Sequence, residues 1–260
     1  MQKYLILFIL LIFIAFNSGC KTQTKYYYPG TLIPNESVAQ LRIKKTNFFG
    51  KVAVHPWFQL FSKEEEEWNT WDINFELEPW KSFPNNFEKL WSLEKRSKFK
   101  DYKTGDYKKI YQWGYIAKNR IFSFMGADGG KVVMEWRGDE AERIKRILIV
   151  PQAYPYIFDY RTWPGPNSNT YIAWVLKKAK VSFDLPAQMI GKDYYGLIGG
   201  GFTTTRKGIQ IETPIVGLKL GLKEGIEVHI FGFTLGLAPR WPFIKTPFNN
   251  IKTLKPKPMK

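Results

Sequence analysis

Alternation of hydrophobic and polar positions predicts that the first half of the chain is mostly β-strand. Four stretches are predicted as strands, residues 51–60, 70–77, 109–117 and 131–136, and the alternation is clear in the second and fourth. In the second stretch Ile73, Phe75 and Leu77 fall on one face, and Asp72 and Asn74 fall on the other. We therefore expect a mostly antiparallel sheet, with both Asp72 and Asn74 on the face opposite its apolar residues.

Helical periodicity appears later. Residues 138–150 open with acidic side chains and keep one apolar stripe, and residues 171–180 end in basic side chains, so each stretch predicts a helix. Residues 208–238 are apolar, rich in glycine, and contain a turn at 223–225, which predicts a buried hairpin, with a second membrane-dipping element as the alternative. The predicted fold class is α+β: a mostly antiparallel sheet, two main helices and a C-terminal β-hairpin extension.

The N-terminus has the three-part pattern of an export signal. Lys3 precedes an apolar run from Tyr4 to Phe16, and small residues then lead to Cys20, the only cysteine of the chain. Thirteen apolar residues are too few for a spanning helix, which needs about 20. We expect residues 1–19 to be a lipoprotein signal peptide and Cys20 to carry lipid; the alternative is a simple secretory signal with an incidental cysteine.

Charge and turn signals divide the rest of the chain. We expect a tether at 20–46, one domain at 47–238, and a basic, proline-containing tail at 239–260. The chain has 39 Lys and Arg against 23 Asp and Glu, a formal charge of +16. For an exported, lipid-anchored protein of the cell envelope, this charge favours anionic lipid headgroups or envelope polymers as partners rather than nucleic acid.

The stretch WPGPNSNT, residues 163–170, is the candidate site. Asn167, Ser168, Asn169 and Thr170 can each cap the helix that follows, and a helix N-terminus attracts an anion or a developing oxyanion. A serine nucleophile also needs a base. The histidines are His55 and His229: a structural role and a catalytic role are equally open for His55, whereas the structural role is favoured for His229. They lie far apart in sequence, so no metal site or cofactor is expected.

Three longer stretches, YPYIFDYRTWPGPNSNTYIAWV, DLPAQMIGKDYY and GLKLGLKEGIEVHIFGFTLGL, resemble a bacterial family known as domain of unknown function 3750 over residues 47–238. More distantly, the chain is similar to permuted papain-like hydrolases of the NlpC type. That resemblance implies a papain-like arrangement, with Ser168 in the place of the nucleophilic cysteine and His55 in the place of the base. Asp72 or Asn74 would then orient His55.

Three functions remain open at this point. The first is a hydrolase or acyltransferase that uses Ser168 and His55 on an envelope amide or ester. The second is a non-catalytic lipoprotein that binds a ligand at the helix N-terminus through Asn167, Asn169 and Thr170. The third is a purely structural protein. They differ in whether Ser168 lies beside His55, and in whether the helix start is open or buried.

Overall fold

The computed structural model describes residues 25–26, 35–46, 52–76, 113–118, 130–156, 159–239 and 244–256. Cys20 and the predicted signal peptide lie outside the described residues. Within them the fold is α+β with mostly antiparallel strands, as the sequence predicts. No helix in these ranges is long and apolar enough to cross a membrane.

The first sheet has five strands in the order β5-β4-β3-β2-β6, and all neighbours are antiparallel. The strands are β2 (Val38–Lys45), β3 (Val54–Ser62), β4 (Glu67–Glu76), β5 (Trp113–Lys118) and β6 (Lys131–Arg137). The sheet therefore begins before the predicted domain boundary at 47. The end of the predicted tether is a strand between β3 and β6, because Ala39, Leu41 and Ile43 alternate with polar residues and are fully or almost fully buried.

Two helices cover one face of this sheet. They are α1 (Asp139–Leu148) and α2 (Ser168–Ala179), and a short 3₁₀ helix, Pro151–Ala153, follows α1. Helix α2 packs on β3 and β4. The core between sheet and helices includes Val54, Phe58 and Leu60 of β3 and Trp71 and Ile73 of β4. These positions alternate, so His55 and Trp57 of β3 and Asp72 of β4 point to the opposite face.

A second sheet takes the place of the predicted hairpin extension. Its six strands follow one another in space as in sequence, each antiparallel to the next. They are β7 (Gly199–Phe202), β8 (Gly208–Glu212), β9 (Val216–Gly221), β10 (Gly225–Ile230), β11 (Phe233–Leu237) and β12 (Ile244–Lys245). Its apolar residues are not buried as predicted: in β8, β9 and β10 the charged and amide side chains point inward and the aliphatic ones outward.

The predicted tail is also partly ordered. Strand β12 joins the edge of the second sheet, and β13 (Lys255–Pro256) pairs in parallel with β1 (Lys25–Tyr26). Between them, the backbone N–H of Leu254 donates to the carbonyl of Val132 in the first sheet. The C-terminal residues up to 256 are therefore tied to the sheets by backbone hydrogen bonds.

Candidate functional site at the start of helix α2

His55 and Asp72 form a buried pair on the first sheet. His55 Nε2 lies 2.9 Å from Asp72 Oδ1 and 3.0 Å from Oδ2, and the two residues are 6% and 1% exposed. A carboxylate can only accept, so Nε2–H donates and Nδ1 is the basic nitrogen. The sequence prediction that Asp72 lies beside His55 agrees with this geometry.

The side-chain directions along β3 argue that this pair and Ser168 lie on opposite sides of the sheet. Strand alternation places Val54 and Phe58 toward the helices, so His55 and Trp57 point to the other face. His55 indeed stacks on Trp57, with ring centroids 6.4 Å apart. Helix α2 begins at Ser168 on the helix-covered side. Strand alternation therefore argues against His55 as the base of Ser168, and the pairing of the two residues stays a prediction.

The start of α2 is a fully formed cap. The side-chain Oδ1 of Asn167 accepts from the backbone N–H groups of Asn169, at 2.9 Å, and Thr170, at 3.2 Å. The Thr170 hydroxyl in turn lies 3.0 Å from the Asn167 backbone N–H, which completes a capping box. Residues 167–170 are each at most 4% exposed. The predicted helix start is correct, and it is buried rather than open.

The same side chains hold a second segment in place. Asn167 Nδ2 donates to the carbonyls of Thr162 and Ile190, both at 3.1 Å, and Asn169 Nδ2 donates to Ile190 at 2.8 Å. The Thr170 hydroxyl donates to the carbonyl of Gly191 at 2.7 Å. Asn167, Asn169 and Thr170, predicted as binding residues, thus use these groups within the chain.

Gly191 carries the connection onward to the second sheet. Its N–H donates to the carbonyl of Gly232, in the turn between β10 and β11, at 3.0 Å. Gly191 has φ of 80°, and a Cβ there would overlap the Pro164 carbonyl and the Asn167 amide. Trp163 packs on Phe231 in the same turn, with ring centroids 5.6 Å apart. The start of helix α2 is therefore linked to the turn between β10 and β11 of the second sheet, by Trp163 of the motif directly and by the motif's hydrogen bonds to residues 190 and 191.

Tyr160 is a site residue that the sequence reasoning did not single out. Its hydroxyl accepts from the backbone N–H of Ser168 at 3.4 Å, which is the donor that an oxyanion at Ser168 would use. Burial raises the pKa of Tyr160 to about 12; hydrogen bonds with Ser168 oppose the rise and the charge of Asp72 adds to it. Tyr160 therefore stays protonated and occupies the anion-binding end of α2.

The inner face of the second sheet carries a network of buried charges. Lys219 Nζ lies 2.6 Å from Asp193 Oδ1 and 3.2 Å from Glu227 Oε2, and Lys245 Nζ lies 2.5 Å from Glu227 Oε1. His229 Nδ1 lies 2.7 Å from Glu212 Oε1. Burial alone would lower the pKa of His229, but the charge of Asp193 and hydrogen bonds to Glu212 and Glu227 raise it above its ordinary value.

Asp193, Glu212 and His229 offer ligand atoms within 4.8 Å of one another, the spacing a metal ion would need. Asp193 is already neutralised, however, because both Lys192 and Lys219 contact its carboxylate. Burial opposes ionisation of Asp193, but the charges of these two lysines hold its pKa well below the ordinary range. The donor set fits an internal ion-pair network better than a divalent cation, which would displace the lysines.

These features define a class of protein: an α+β domain with a buried, capped helix start that joins an antiparallel sheet to a second sheet with an ionic inner face. The family model for proteins of unknown function DUF3750 matches residues 36–194, more than half of the chain. The protein belongs to this family. No curated protein and no solved structure matches the chain, so the papain-like arrangement stays a prediction.

Proposed function

We propose that the protein is a non-catalytic lipoprotein of the bacterial cell envelope, in which the WPGPNSNT motif joins the two sheets. The observation that carries the proposal is the use of Asn167, Asn169 and Thr170 in contacts within the chain, at a helix start that is at most 4% exposed. A binding or catalytic helix start would present these groups to a cleft.

The N-terminal part of the proposal rests on the sequence. A charged start, an apolar run and a small residue before Cys20 support cleavage and lipid attachment at that cysteine. A single lipid chain binds a membrane only weakly, so stable attachment needs more acyl chains or a further contact. The formal charge of +16 supports a position next to anionic lipid.

The buried His55–Asp72 pair favours a second candidate, acyl transfer. In that mechanism Ser168 Oγ would attack an ester or amide carbonyl and pass its proton to His55 Nδ1, and the leaving group would then take that proton. The pair has the hydrogen bond that orients a base. Strand alternation argues against it, because it points the His55 side chain away from the face that α2 covers.

One experiment with two arms tests the proposal. Cells that express the wild-type chain or Cys20→Ala are fed an alkyne fatty acid, and we expect lipid on the wild type alone. The purified proteins are then treated with a serine-reactive fluorophosphonate, and Ser168→Ala is treated in parallel. Ser182→Ala is the control, because the Ser182 hydroxyl contacts Thr205, which is distant in sequence from the helix start. We expect no labelling that depends on Ser168.

Each arm has a contrary result. Lipid on Cys20→Ala would show that the predicted anchor is wrong. Labelling that is lost in Ser168→Ala and retained in Ser182→Ala would establish Ser168 as a nucleophile, and would replace the non-catalytic proposal by the acyl-transfer one.

A further inference from the structure

The outer face of the second sheet is almost entirely apolar. One row of paired residues crosses all six strands, and each member is at least 43% exposed: Phe202, Ile209, Leu220, Ile226, Leu237 and Ile244. A parallel row consists of Ile211, Leu218, Val228 and Leu235, each at least 38% exposed. Six strands about 4.8 Å apart make this surface about 24 Å wide.

This exposure follows from what the inner face contains. The same strands bury Gln210, Glu212, Lys219, Glu227 and His229 on the other side, and a strand with one polar face must turn its alternate residues outward. Gly217 shows how closely the inner face is filled, because a Cβ there would overlap the Glu212 carboxylate. A slip of one residue that buried the aliphatic side chains would expose the ion pairs and break them.

The two ends of the sheet differ in chemistry. Arg206 and Lys207 are exposed in the turn between β7 and β8. At the other end, the turn between β10 and β11 exposes Phe231, with Trp163 packed on it; they are 43% and 40% exposed. Apolar side chains between a basic end and an aromatic end are typical of surfaces that lie in the headgroup region of a bilayer.

Charge decides between a bilayer and a second copy of the chain. A contiguous apolar patch of this extent, on the order of several hundred Å², requires a partner. Two copies stacked face to face would bring two net charges of +16 together, which opposes association. An anionic lipid surface attracts the same charge, by about 1 kcal/mol for each basic residue near the surface.

We infer that the outer face of the second sheet, defined by its two apolar rows, docks on an anionic lipid bilayer. The aliphatic side chains enter the boundary between headgroups and acyl chains, and Arg206 and Lys207 contact lipid phosphates. The inference rests on the proposed attachment of the chain to a membrane, but not on the lipid at Cys20 or on the absence of catalysis.

The test uses the full chain with Cys20→Ser, which removes its only cysteine. An environment-sensitive fluorophore is attached at one of two positions. Leu218→Cys places it at the centre of the face, and Glu140→Cys places it on the exposed side of α1 as the control. The proteins are mixed with vesicles of phosphatidylcholine, with and without phosphatidylglycerol, that contain a lipid-borne quencher. We expect blue-shifted emission and at least several-fold stronger quenching at Leu218 than at Glu140, and a weaker effect without phosphatidylglycerol.

The comparison separates the face from the anchor. An N-terminal segment that binds vesicles brings both labels to the membrane, but only a docked face brings the Leu218 label among the acyl chains. Equal quenching at both positions would overturn the inference. It would also be overturned by blue-shifted emission at Leu218 before lipid is added, which would mean that protein, from this chain or a second copy, covers the face.

Discussion

At the scale of the residue, the relation between Ser168 and His55 has a measurable consequence. A thiol at a helix N-terminus ionises more easily than a free thiol, and a neighbouring imidazolium lowers its pKa much further. In a Cys20→Ser background, Ser168→Cys provides a single thiol at this helix start. Strand alternation points His55 to the opposite face of the sheet, so the imidazole should not act on this thiol.

We therefore predict that the thiol pKa of Ser168→Cys is the same with His55 and with His55→Gln. Gln keeps a donor toward Asp72, which makes it a milder change than Ala. The measurement is the pH dependence of alkylation by iodoacetamide, with circular dichroism as the check on folding. A rise of one pH unit or more in the midpoint on replacing His55 would mean that the two side chains meet.

At the scale of the element, Asn167 holds helix α2 and the segment at residues 190–191 together. Its Oδ1 caps the helix, and its Nδ2 ties the helix start to Thr162 and Ile190. Loss of a cap costs about 1 kcal/mol, and loss of each of the two hydrogen bonds that Nδ2 donates adds about 0.5 to 1.5 kcal/mol. The free energy of unfolding should thus depend on both the oxygen and the nitrogen of the Asn167 amide.

We predict that Asn167→Ala lowers the free energy of unfolding by at least about 2 kcal/mol. Asn167→Asp should also destabilise, because it keeps the capping oxygen but turns a second oxygen toward the carbonyls of Thr162 and Ile190. Urea unfolding followed by tryptophan fluorescence measures both, with Asn35→Ala, at an exposed position, as the control. An Asp variant as stable as the wild type would mean that the amide nitrogen contributes nothing.

The local elements could be predicted from the sequence because their signals are local. Residues 131–136 alternate and form β6, and the run of capping residues before Tyr171 starts α2. Strand β2 has the same alternation, but its position among turn residues near a predicted export signal favoured a tether. Only its pairing with β3 and β6, which are distant in sequence from one another, makes it a central strand.

The candidate site depended on information that alternation does not contain. The pattern in β4 correctly placed Asp72 opposite Ile73, but it could not say which face α2 would cover. The second sheet has the same ambiguity: alternation predicted two faces, and general experience assigned the aliphatic one to the interior. The ion pairs of Lys219 with Asp193 and Glu227 reverse this assignment, and they form only when distant segments meet.

At the scale of the whole molecule, the two sheets rest on different forces. The first sheet and its helices enclose an apolar cluster that includes Leu41, Phe58 and Trp136. The second sheet encloses charges. Burial opposes ionisation of Glu227, but the charges of Lys192 and Lys219 hold its pKa well below the ordinary value, and the pKa of Asp193 is depressed for the same reason. The two halves should therefore respond differently to acid.

The sign follows from these depressed pKa values. A carboxylate whose pKa is lower in the folded protein stabilises it fully above the unfolded pKa, about 4 for Asp and Glu, and this stabilisation is lost as the pH falls through the folded value. Lys219 cannot compensate, since its charge then lies buried with neutral partners. The second sheet should lose its ion pairs between about pH 4 and the folded pKa values of Asp193 and Glu227.

We predict that acid opens the second sheet before the first. Hydrogen exchange of the full chain, measured by mass spectrometry after brief exposure to a series of acidic pH values, should show residues 208–237 losing protection while residues 54–62 keep it. Glu227→Gln, which removes one titrating group and keeps one acceptor oxygen in place of two, should reduce the dependence on pH. If both segments lose protection at the same pH in the wild type, the two sheets unfold as one cooperative unit. The prediction that the second sheet opens separately would then be wrong.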